Sequence, residues 1–238
     1  MVDPATRERA VIALLEEWPW DLGATLIGGY AISAYGAPRY SDDVDLVIPD
    51  AARPATEAWL KKRGFDDALG RKTKASRVFR DAPRFSRDEV TLDVLAGYVR
   101  DREAKVAVPE SWISLRPRLE RLELLSGRTQ RKIPVARPEA LWALKLQAGR
   151  EQDLTDLFTM ADVPVEAEEV RLLFESLMVP SLAVKLQAAE SKLRDGKIYN
   201  DSRSRMGLKN TEAVMARWAA FRERVSAMIP PRRTTGSD

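Results

Sequence analysis

Two aspartates stand two residues apart, as Asp43 and Asp45, at the start of the apolar run 46–48. Because alternate residues of a β-strand project from the same face, the two carboxylates converge if this segment is a strand. Two carboxylates that close together repel each other and raise each other's pKa unless a cation neutralises them. Carboxylate oxygens are ligands that suit Mg²⁺. The pair therefore predicts a site for Mg²⁺, with Mn²⁺ as the alternative, bridging the protein and a triphosphate.

A double glycine, Gly28-Gly29, follows a short apolar run and precedes a segment of helical character. Residues without side chains at a helix N-terminus allow backbone amides to approach a phosphate closely. We therefore expect this turn to bind the triphosphate of a nucleotide. Between the turn and the aspartate pair, Ser41 could cap a turn and Arg39 could brace the carboxylates, and neither is predicted to be catalytic. Asp42 is interpreted as an exposed neighbour outside the pattern.

A third aspartate, Asp93, lies in the strand-like segment 89–95 among apolar neighbours. A charge placed there would be costly without a metal ion or a hydrogen-bond partner, so Asp93 is the candidate for a third metal ligand. In phosphoryl and nucleotidyl transfer, two metal ions held by three acids lower the pKa of the attacking hydroxyl and stabilise the departing pyrophosphate. Asp43, Asp45 and Asp93 are thus predicted to be both metal ligands and catalytic residues.

The strand, the Gly-Gly turn, thirteen intervening residues and the Asp-x-Asp pair resemble the signature of the nucleotidyltransferase superfamily that includes DNA polymerase β. A second segment, ARPEALWALKLQAGREQDLTDLFTM, resembles the AbiEii-type nucleotidyltransferases, the toxins of type IV toxin–antitoxin systems. The phrase PRYSDDVDL is similar to that family too. The resemblance implies an enzyme that transfers an NMP from an NTP, with ATP and GTP among the candidate substrates, and a cognate antitoxin as partner.

The same resemblance assigns roles to three residues of the second segment, and a fourth, Arg150, has two possible roles. It implies that Lys145 contacts the triphosphate and that Asp153 or Asp156 assists the attacking hydroxyl or orients its neighbours. Arg150 binds phosphate in one interpretation and forms a salt bridge with these aspartates in the other. From spacing alone, Asp153 and Asp156 are neighbours on one helix surface, because they are three residues apart. Gln152 departs from the family pattern, which often has a basic residue there.

Two segments are strongly basic although the formal net charge is only +3. Residues 71–87 contain seven basic residues and one acidic residue, and residues 116–137 contain seven basic and two acidic residues. Such segments are often only solvated surface, but in a nucleotidyltransferase they predict a phosphate-rich acceptor, with tRNA or another RNA preferred. The alternatives are a protein acceptor, as in AMPylation, a small aminoglycoside-like molecule, and a catalytically silent module that binds RNA or a partner.

The composition limits the chemistry further. The 238 residues include no cysteine and no histidine, which excludes disulfides, thiolate zinc sites, a cysteine nucleophile and a histidine base. Catalysis must therefore rely on carboxylates, lysines, hydroxyls and metals that bind oxygen. The sequence shows no membrane span and no secretory signal, so a cytoplasmic protein is expected.

The elements that position these residues follow from hydrophobic periodicity, and they predict an α+β protein. Strands are expected at 24–27, 44–48, 77–80, 90–95, 113–115, 122–125 and 131–135. Helices are expected at 4–18, 30–35, 53–63, 138–149, 150–161, 166–177, 181–193 and 211–228. We therefore predict a polymerase β-like core with a mixed sheet and flanking helices over 1–136. A helical domain over 137–229 and a disordered tail over 230–238 complete the predicted organisation.

Overall fold

The first part of the chain folds around a mixed sheet whose central strands are apolar along their whole length. Every residue of β1 (Thr25–Ile27) and β2 (Val44–Ile48) is buried, which is expected for strands covered on both faces. The computed structural model describes residues 3–35, 38–67, 83–100, 106–177, 187–189, 191–192, 200 and 211–229. These residues form two compact units, Met1–Arg102 with Ala107–Leu141 and Glu103–Val106 with Trp142–Asp238.

The first unit contains eleven described strands. Besides β1 and β2 they are β3 (Asp66–Asp67), β4 (Arg84–Arg87), β5 (Val90–Ala96), β6 (Tyr98–Arg100), β7 (Ala107–Pro109), β8 (Arg118–Glu120), β9 (Glu123–Leu124), β10 (Gly127–Arg128) and β11 (Ile133–Val135). Seven of them form one sheet in the order β3-β4-β5-β2-β1-β11-β8. The pairs β2–β5 and β1–β11 are parallel, and the other pairs of this sheet are antiparallel. The metal-site candidates therefore lie at the centre of the sheet.

Four α-helices lie wholly within the described part of this unit: α1 (Pro4–Glu17), α2 (Gly28–Ile32), α3 (Arg53–Lys62) and α4 (Glu110–Ile113). Helix α1 begins where the sequence signals it, because Asp3 accepts hydrogen bonds from the amides of Ala5 and Thr6 and Pro4 occupies the first turn. The strand predicted at 113–115 is wrong. Residues 110–113 form a helical turn after Pro109, and the Ser114 amide donates to the Glu110 carbonyl at 2.8 Å.

The second unit is helical in its described part. Helix α5 (Pro138–Ala148) begins in the first unit and ends in the second, and α6 (Glu151–Thr159), α7 (Ala167–Leu177) and α8 (Thr211–Met228) follow. Its core is aromatic, with Phe158 packed against Trp218 and Phe221 at centroid distances of 5.2 and 5.6 Å. Trp142 adds its ring to Phe221 at 5.6 Å.

The predicted fold class is confirmed in its main features, a mixed sheet with flanking helices and a helical C-terminal part. The boundaries predicted at 136/137 and 229/230 stay predictions. The tail 230–238, the strand at 77–80 and most of the helix at 181–193 lie outside the described residues. None of the described helices has both the length and the apolar character of a membrane span.

Candidate active site

Three carboxylates meet at the centre of the sheet. Asp43 immediately precedes β2, Asp45 lies within β2, and Asp93 lies on β5 directly beside Asp45 in the parallel register. Each offers an oxygen that lies within 4.8 Å of the others, which is a spacing that one metal ion could bridge. Asp45 and Asp93 are buried, whereas the side chain of Asp43 is 24% exposed. The cluster is therefore open to solvent on the side of Asp43.

A cationic side chain, that of Arg84, joins this cluster. From the sequence, Arg84 had been grouped with the basic segment 71–87. Arg84 on β4 donates from Nε and Nη2 to the two carboxylate oxygens of Asp93, at 2.7 and 2.6 Å. Its Nη2 also donates to Asp43 at 2.9 Å. The sequence contained a signal for this contact. A two-residue turn at Asp88 and Glu89 joins β4 to β5, and the resulting hairpin register places Arg84 opposite Asp93.

The charges of the cluster act on one another. Burial raises the pKa of Asp43 above its ordinary value, and the negative charge of Asp93 raises it further, while Arg84 acts in the opposite direction. The neighbouring carboxylates raise the pKa of Arg84, chiefly through the hydrogen bonds with Asp93. The site thus concentrates more negative charge than Arg84 alone balances, which is a setting that favours a divalent cation.

The Gly-Gly turn lies directly against the metal-site candidates. Gly28 has φ +70°, and a Cβ built on it would lie 2.7 Å from the Cγ of Asp45. A Cβ on Gly29 would lie 2.9 Å from the Cβ of Ser41 and 3.0 Å from the Nη2 of Arg39. Gly28 is therefore required by backbone conformation and by close packing, and Gly29 by close packing alone. The turn and the aspartate pair form one constellation, and triphosphate binding by Gly28 and Gly29 stays a prediction.

A Gly28→Ala substitution tests this packing. At a positive φ the alanine costs about 1 kcal/mol, and the collision also displaces the Asp45 carboxylate, so transfer activity is expected to fall roughly a hundredfold. The control is Gly64→Ala, where φ is +76° but the nearest heavy atom to the new Cβ is the Arg87 Cδ at 3.9 Å. Thermal melting should show destabilisation of both variants, larger for Gly28→Ala because of the collision with Asp45. Initial rates measured below both melting transitions should fall for Gly28→Ala alone. Equal activities would contradict the assignment of this turn to the site.

The segment between the turn and β2 is anchored by Tyr30. Its hydroxyl, whose pKa is raised to about 12 by burial and by the charge of Glu8, donates to the Ser41 carbonyl at 3.0 Å. Asp42 points away from the cluster, with a side chain that is 95% exposed and an ion pair to Arg7 at 2.7 Å. The exposed position predicted for Asp42 is thus what the structure shows.

The residues assigned by family resemblance come together in the second unit. The Nζ of Lys145 on α5 lies 2.9 Å from Asp153 and 2.8 Å from Asp156, both on α6. Arg150 binds Asp153 through Nε at 2.5 Å and through Nη2 at 3.1 Å, and Gln152 donates to Asp156 at 2.8 Å. Both aspartates are buried. The salt-bridge interpretation of Arg150 is therefore observed, and the roles of Lys145, Arg150, Asp153 and Asp156 toward a nucleotide stay predictions.

The pKa shifts of this cluster reflect its ion pairs. Burial lowers the pKa of Lys145, but the opposing charges of Asp153 and Asp156 outweigh burial, so the pKa rises above its ordinary 10.5. Burial likewise raises the pKa of Asp153, yet Lys145 and Arg150 together hold it below its ordinary 3.8. Both groups are thus charged at neutral pH.

These shifts predict a pH dependence of stability. Because Asp153 has a lowered folded-state pKa, its stabilisation is complete above pH 3.8 and is lost as the pH falls below that value. Lys145 has the opposite sign, since its stabilisation is complete below pH 10.5 and is lost above it. Urea unfolding of the wild type and Asp153→Asn at a series of pH values should show a stability difference that shrinks in acid below pH 3.8. A difference that does not change with pH would contradict the ion pair.

The second basic segment is largely on the surface of the first unit. Its exposed basic residues, on or near β8 to β11, are Arg116, Arg118, Arg121, Arg128, Arg131 and Lys132. Arg137 is an exception, because it is buried, stacks over the Trp112 ring at 4.5 Å and lies 3.6 Å from Glu139. Of the first basic segment, only Arg84 and Arg87 among its basic residues are described, and Arg84 belongs to the carboxylate cluster. Arg84 and Arg137 are therefore not part of the exposed basic surface.

Comparison with solved structures finds distant similarities to nucleotidyltransferases. The crystal structure of ANT(2")-Ia in complex with adenylyl-2"-tobramycin is 21% identical over 79% of this chain and 97% of its own, with a TM-score of 0.34. A protein from H. pylori described as a nucleotidyltransferase is 15% identical over 93% of this chain and 92% of its own, with a TM-score of 0.40. No curated protein matches the chain in sequence.

The family comparison covers both units. The profile described as "Nucleotidyl transferase AbiEii toxin, Type IV TA system" matches residues 12–234. The match includes the Gly-Gly turn, the three central carboxylates and the Lys145 cluster. The chain therefore belongs to the AbiEii family of nucleotidyltransferase toxins.

Proposed function

We propose that this nucleotidyltransferase is dependent on Mg²⁺ and transfers an NMP from an NTP to a hydroxyl group of RNA, with tRNA as the first candidate. The observation that carries the proposal is the cluster of Asp43, Asp45 and Asp93 packed against the Gly28-Gly29 turn. A set of three carboxylates beside a side-chain-free turn provides ligands for a divalent cation and backbone amides that could approach a polyphosphate.

The donor set fits a hard divalent cation. All three candidate ligands are carboxylates, and the described part of the cluster contains no sulfur or imidazole donor, because the chain has no cysteine or histidine. Asp43, Asp45 and Asp93 would hold the ion. When bound, a magnesium ion would neutralise charge on the triphosphate and lower the pKa of the attacking hydroxyl. Mn²⁺ has the same ligand preference and is expected to substitute in the test tube.

The chain's own residues prepare the site for this chemistry. Asp45 and Asp93 are paired residues of the neighbouring parallel strands β2 and β5. Both lie within strands and not in loops, so the sheet fixes their positions. Tyr30 fixes the segment that leads into Asp43 through its bond to the Ser41 carbonyl. Such preorganisation reduces the reorganisation that catalysis would otherwise require. The two glycines allow the turn to pack directly against Asp45 and Ser41, which holds its backbone beside the carboxylates.

The acceptor is proposed from the exposed basic surface that extends over β8 to β11. Six basic side chains of this surface are exposed, and Glu120 and Glu123 are the acidic residues in the same segment. A phosphate-rich polymer gains favourable electrostatic energy along such a surface through counterion release. This charge pattern favours RNA over an uncharged or cationic small molecule as the acceptor.

Two further proposals come from the family. Membership of a type IV toxin–antitoxin family implies an antitoxin partner, which we expect to be encoded beside this chain. The family resemblance also implies triphosphate contact by Lys145 and assistance of the hydroxyl by Asp153 or Asp156, and Arg150 could bind phosphate. Variants that neutralise Lys145, Asp153 and Asp156 together test the roles of these three residues.

The experiment uses the full chain, Mg²⁺ and each α-labelled NTP in turn, together with a cell lysate that is afterwards separated into RNA, protein and small-molecule fractions. We expect label in the RNA fraction with one or more NTPs, no label after chelation of the metal, and no label with Asp45→Asn. Label in the protein or small-molecule fraction would refute the RNA acceptor. No label in any fraction would refute the enzymatic proposal and leave a silent binding module.

A further inference from the structure

Arg84 contacts the central carboxylates but has no role in the proposed nucleotidyl transfer. It lies on β4, opposite Asp93 in the antiparallel register, and its side chain is 19% exposed. Confining the long arginine side chain costs conformational entropy, which its contacts must offset. The hydrogen bonds of Arg84 with Asp93 and Asp43 offset this entropic cost.

The guanidinium occupies the oxygens that a metal ion would need. Nε and Nη2 bind both oxygens of Asp93 in the fork geometry that arginine favours, and Nη2 also reaches one oxygen of Asp43. The side chain of Asp93 is only 4% exposed, so its oxygens have little access to other partners. A divalent ion on the same atoms would lie within a few ångströms of the guanidinium, where two cations repel strongly.

We propose that Arg84 is a built-in competitor for the metal ion, whose guanidinium must leave Asp43 and Asp93 before a divalent cation binds there. This inference rests on the proposed function, since it concerns the same carboxylates. It gives the site two alternative counter-ions, one supplied by the chain and one by solution. A bound metal and the Arg84 fork therefore compete for these carboxylates.

The exchange makes metal binding dependent on nucleotide. Free Mg²⁺ must displace Arg84 with no other anion present to receive the guanidinium. A triphosphate that arrives with the metal brings negative charge of its own, and Arg84 remains anchored on β4 beside the cluster. Displacement is therefore less costly with nucleotide than without it. The enzyme would hold its metal mainly when substrate is present.

The test measures the affinity of the protein for Mn²⁺ alone, by the electron paramagnetic resonance signal of the free ion. The variants are Arg84→Ala, which removes the competitor, and Arg84→Lys, which keeps a charge but loses the fork. We expect Arg84→Ala to bind Mn²⁺ at least about tenfold more tightly, because hydrogen bonds to charged groups no longer have to be broken. Arg84→Lys should bind a few-fold more tightly, roughly midway.

The control is Arg87→Ala on the same strand. Arg87 donates to the Arg63 carbonyl at 3.0 Å and stacks over the Phe65 ring at 4.7 Å, with no recorded bond to the three carboxylates. Its removal changes the net charge equally, so a general effect of charge would tighten Mn²⁺ binding in Arg87→Ala as well. We expect the affinity of this control to equal that of the wild type.

Thermal melting in EDTA and in Mn²⁺ gives a second readout. Arg84→Ala should melt lower than the wild type in EDTA, because three carboxylates lose their counter-ion, and it should gain more from Mn²⁺. Equal or weaker Mn²⁺ binding by Arg84→Ala would overturn the inference and identify Arg84 as a group that arranges the carboxylates for the metal. If Arg84→Ala does not fold, the same comparison with Arg84→Lys decides.

Mn²⁺ binding distinguishes failure of the proposed metal site from failure of the competitor role of Arg84. If neither the wild type nor the Arg84 variants bind Mn²⁺ with or without nucleotide, the proposed metal site itself is wrong. If the wild type binds Mn²⁺ with nucleotide and Asp45→Asn abolishes that binding, the site is established. Unchanged affinity in both Arg84 variants would then reject only the competitor role.

Discussion

Replacement of Asp43 or Asp45 by asparagine is expected to lower the rate of nucleotidyl transfer by roughly a thousandfold or more, because each change removes one of the carboxylates that we propose as metal ligands. The amide is close to the carboxylate in size, so packing is retained. Stability in EDTA should not fall for Asp43→Asn, since burial and Asp93 already disfavour its charged form. Initial rates with labelled NTP, together with melting curves, separate the two effects.

The adjacent aspartate is a matched control for this prediction. Asp42→Asn makes the same chemical change one residue away, but the Asp42 side chain is 95% exposed and pairs with Arg7. An exposed ion pair contributes little, so this variant is expected to keep activity within about twofold of the wild type. Comparable losses in Asp42→Asn and Asp43→Asn would show that general charge, and not the carboxylate cluster, supports the reaction.

The candidate metal cluster illustrates what the sequence could provide. The two-residue spacing of Asp43 and Asp45 and the lone charge of Asp93 among apolar residues follow from strand periodicity, which is a local property. The direct neighbourhood of Asp45 and Asp93 depends on β2 and β5 being parallel partners in one register. Strand pairing of that kind is decided by the whole sheet, so the sequence indicated the participants but not their positions.

Arg84 shows a different limit of sequence interpretation. It stands in a run of basic residues, so its composition suggested a solvated surface. Its actual position is set by the β4–β5 hairpin, in which Asp88 adopts a φ of 49° at the turn. Asparagine and aspartate tolerate this conformation better than most residues, so Asp88 was a signal from which the turn could have been predicted. A one-residue change of register would have moved Arg84 to the opposite face of the sheet.

The Lys145 cluster was predicted in part by helix geometry. The spacing of Asp153 and Asp156 places them on one face of α6, as expected for residues three apart. Their shared partner could not be derived from that spacing, because Lys145 lies on the preceding helix. The chain turns between the two helices at Gly149, whose φ is 63°. This turn directs α6 back so that both aspartates reach the same ammonium group.

Replacement of Lys145 by methionine is expected to lower the free energy of unfolding by about 3 to 5 kcal/mol, because it removes the ammonium group that both buried carboxylates bind and leaves Asp153 with Arg150 as its cation. The Lys145 side chain is only 10% exposed, so water cannot readily take its place. Arg150→Met is the matched control, since Arg150 binds the same Asp153 but is 48% exposed. Its loss should cost about 1 kcal/mol or less. Urea unfolding followed by tryptophan fluorescence measures both values.

A neutral version of the cluster separates stability from chemistry. In the triple variant Lys145→Met, Asp153→Asn, Asp156→Asn, no buried charge is left unpaired, so most of the lost stability should return. The family resemblance implies that Lys145 contacts the triphosphate and that Asp153 or Asp156 assists the attacking hydroxyl. We therefore expect the stable triple variant to remain inactive in nucleotidyl transfer. Recovery of activity together with stability would show that the cluster only holds α5 and α6 together. A triple variant that is stable but inactive would show that the reaction itself needs the charged groups at these positions.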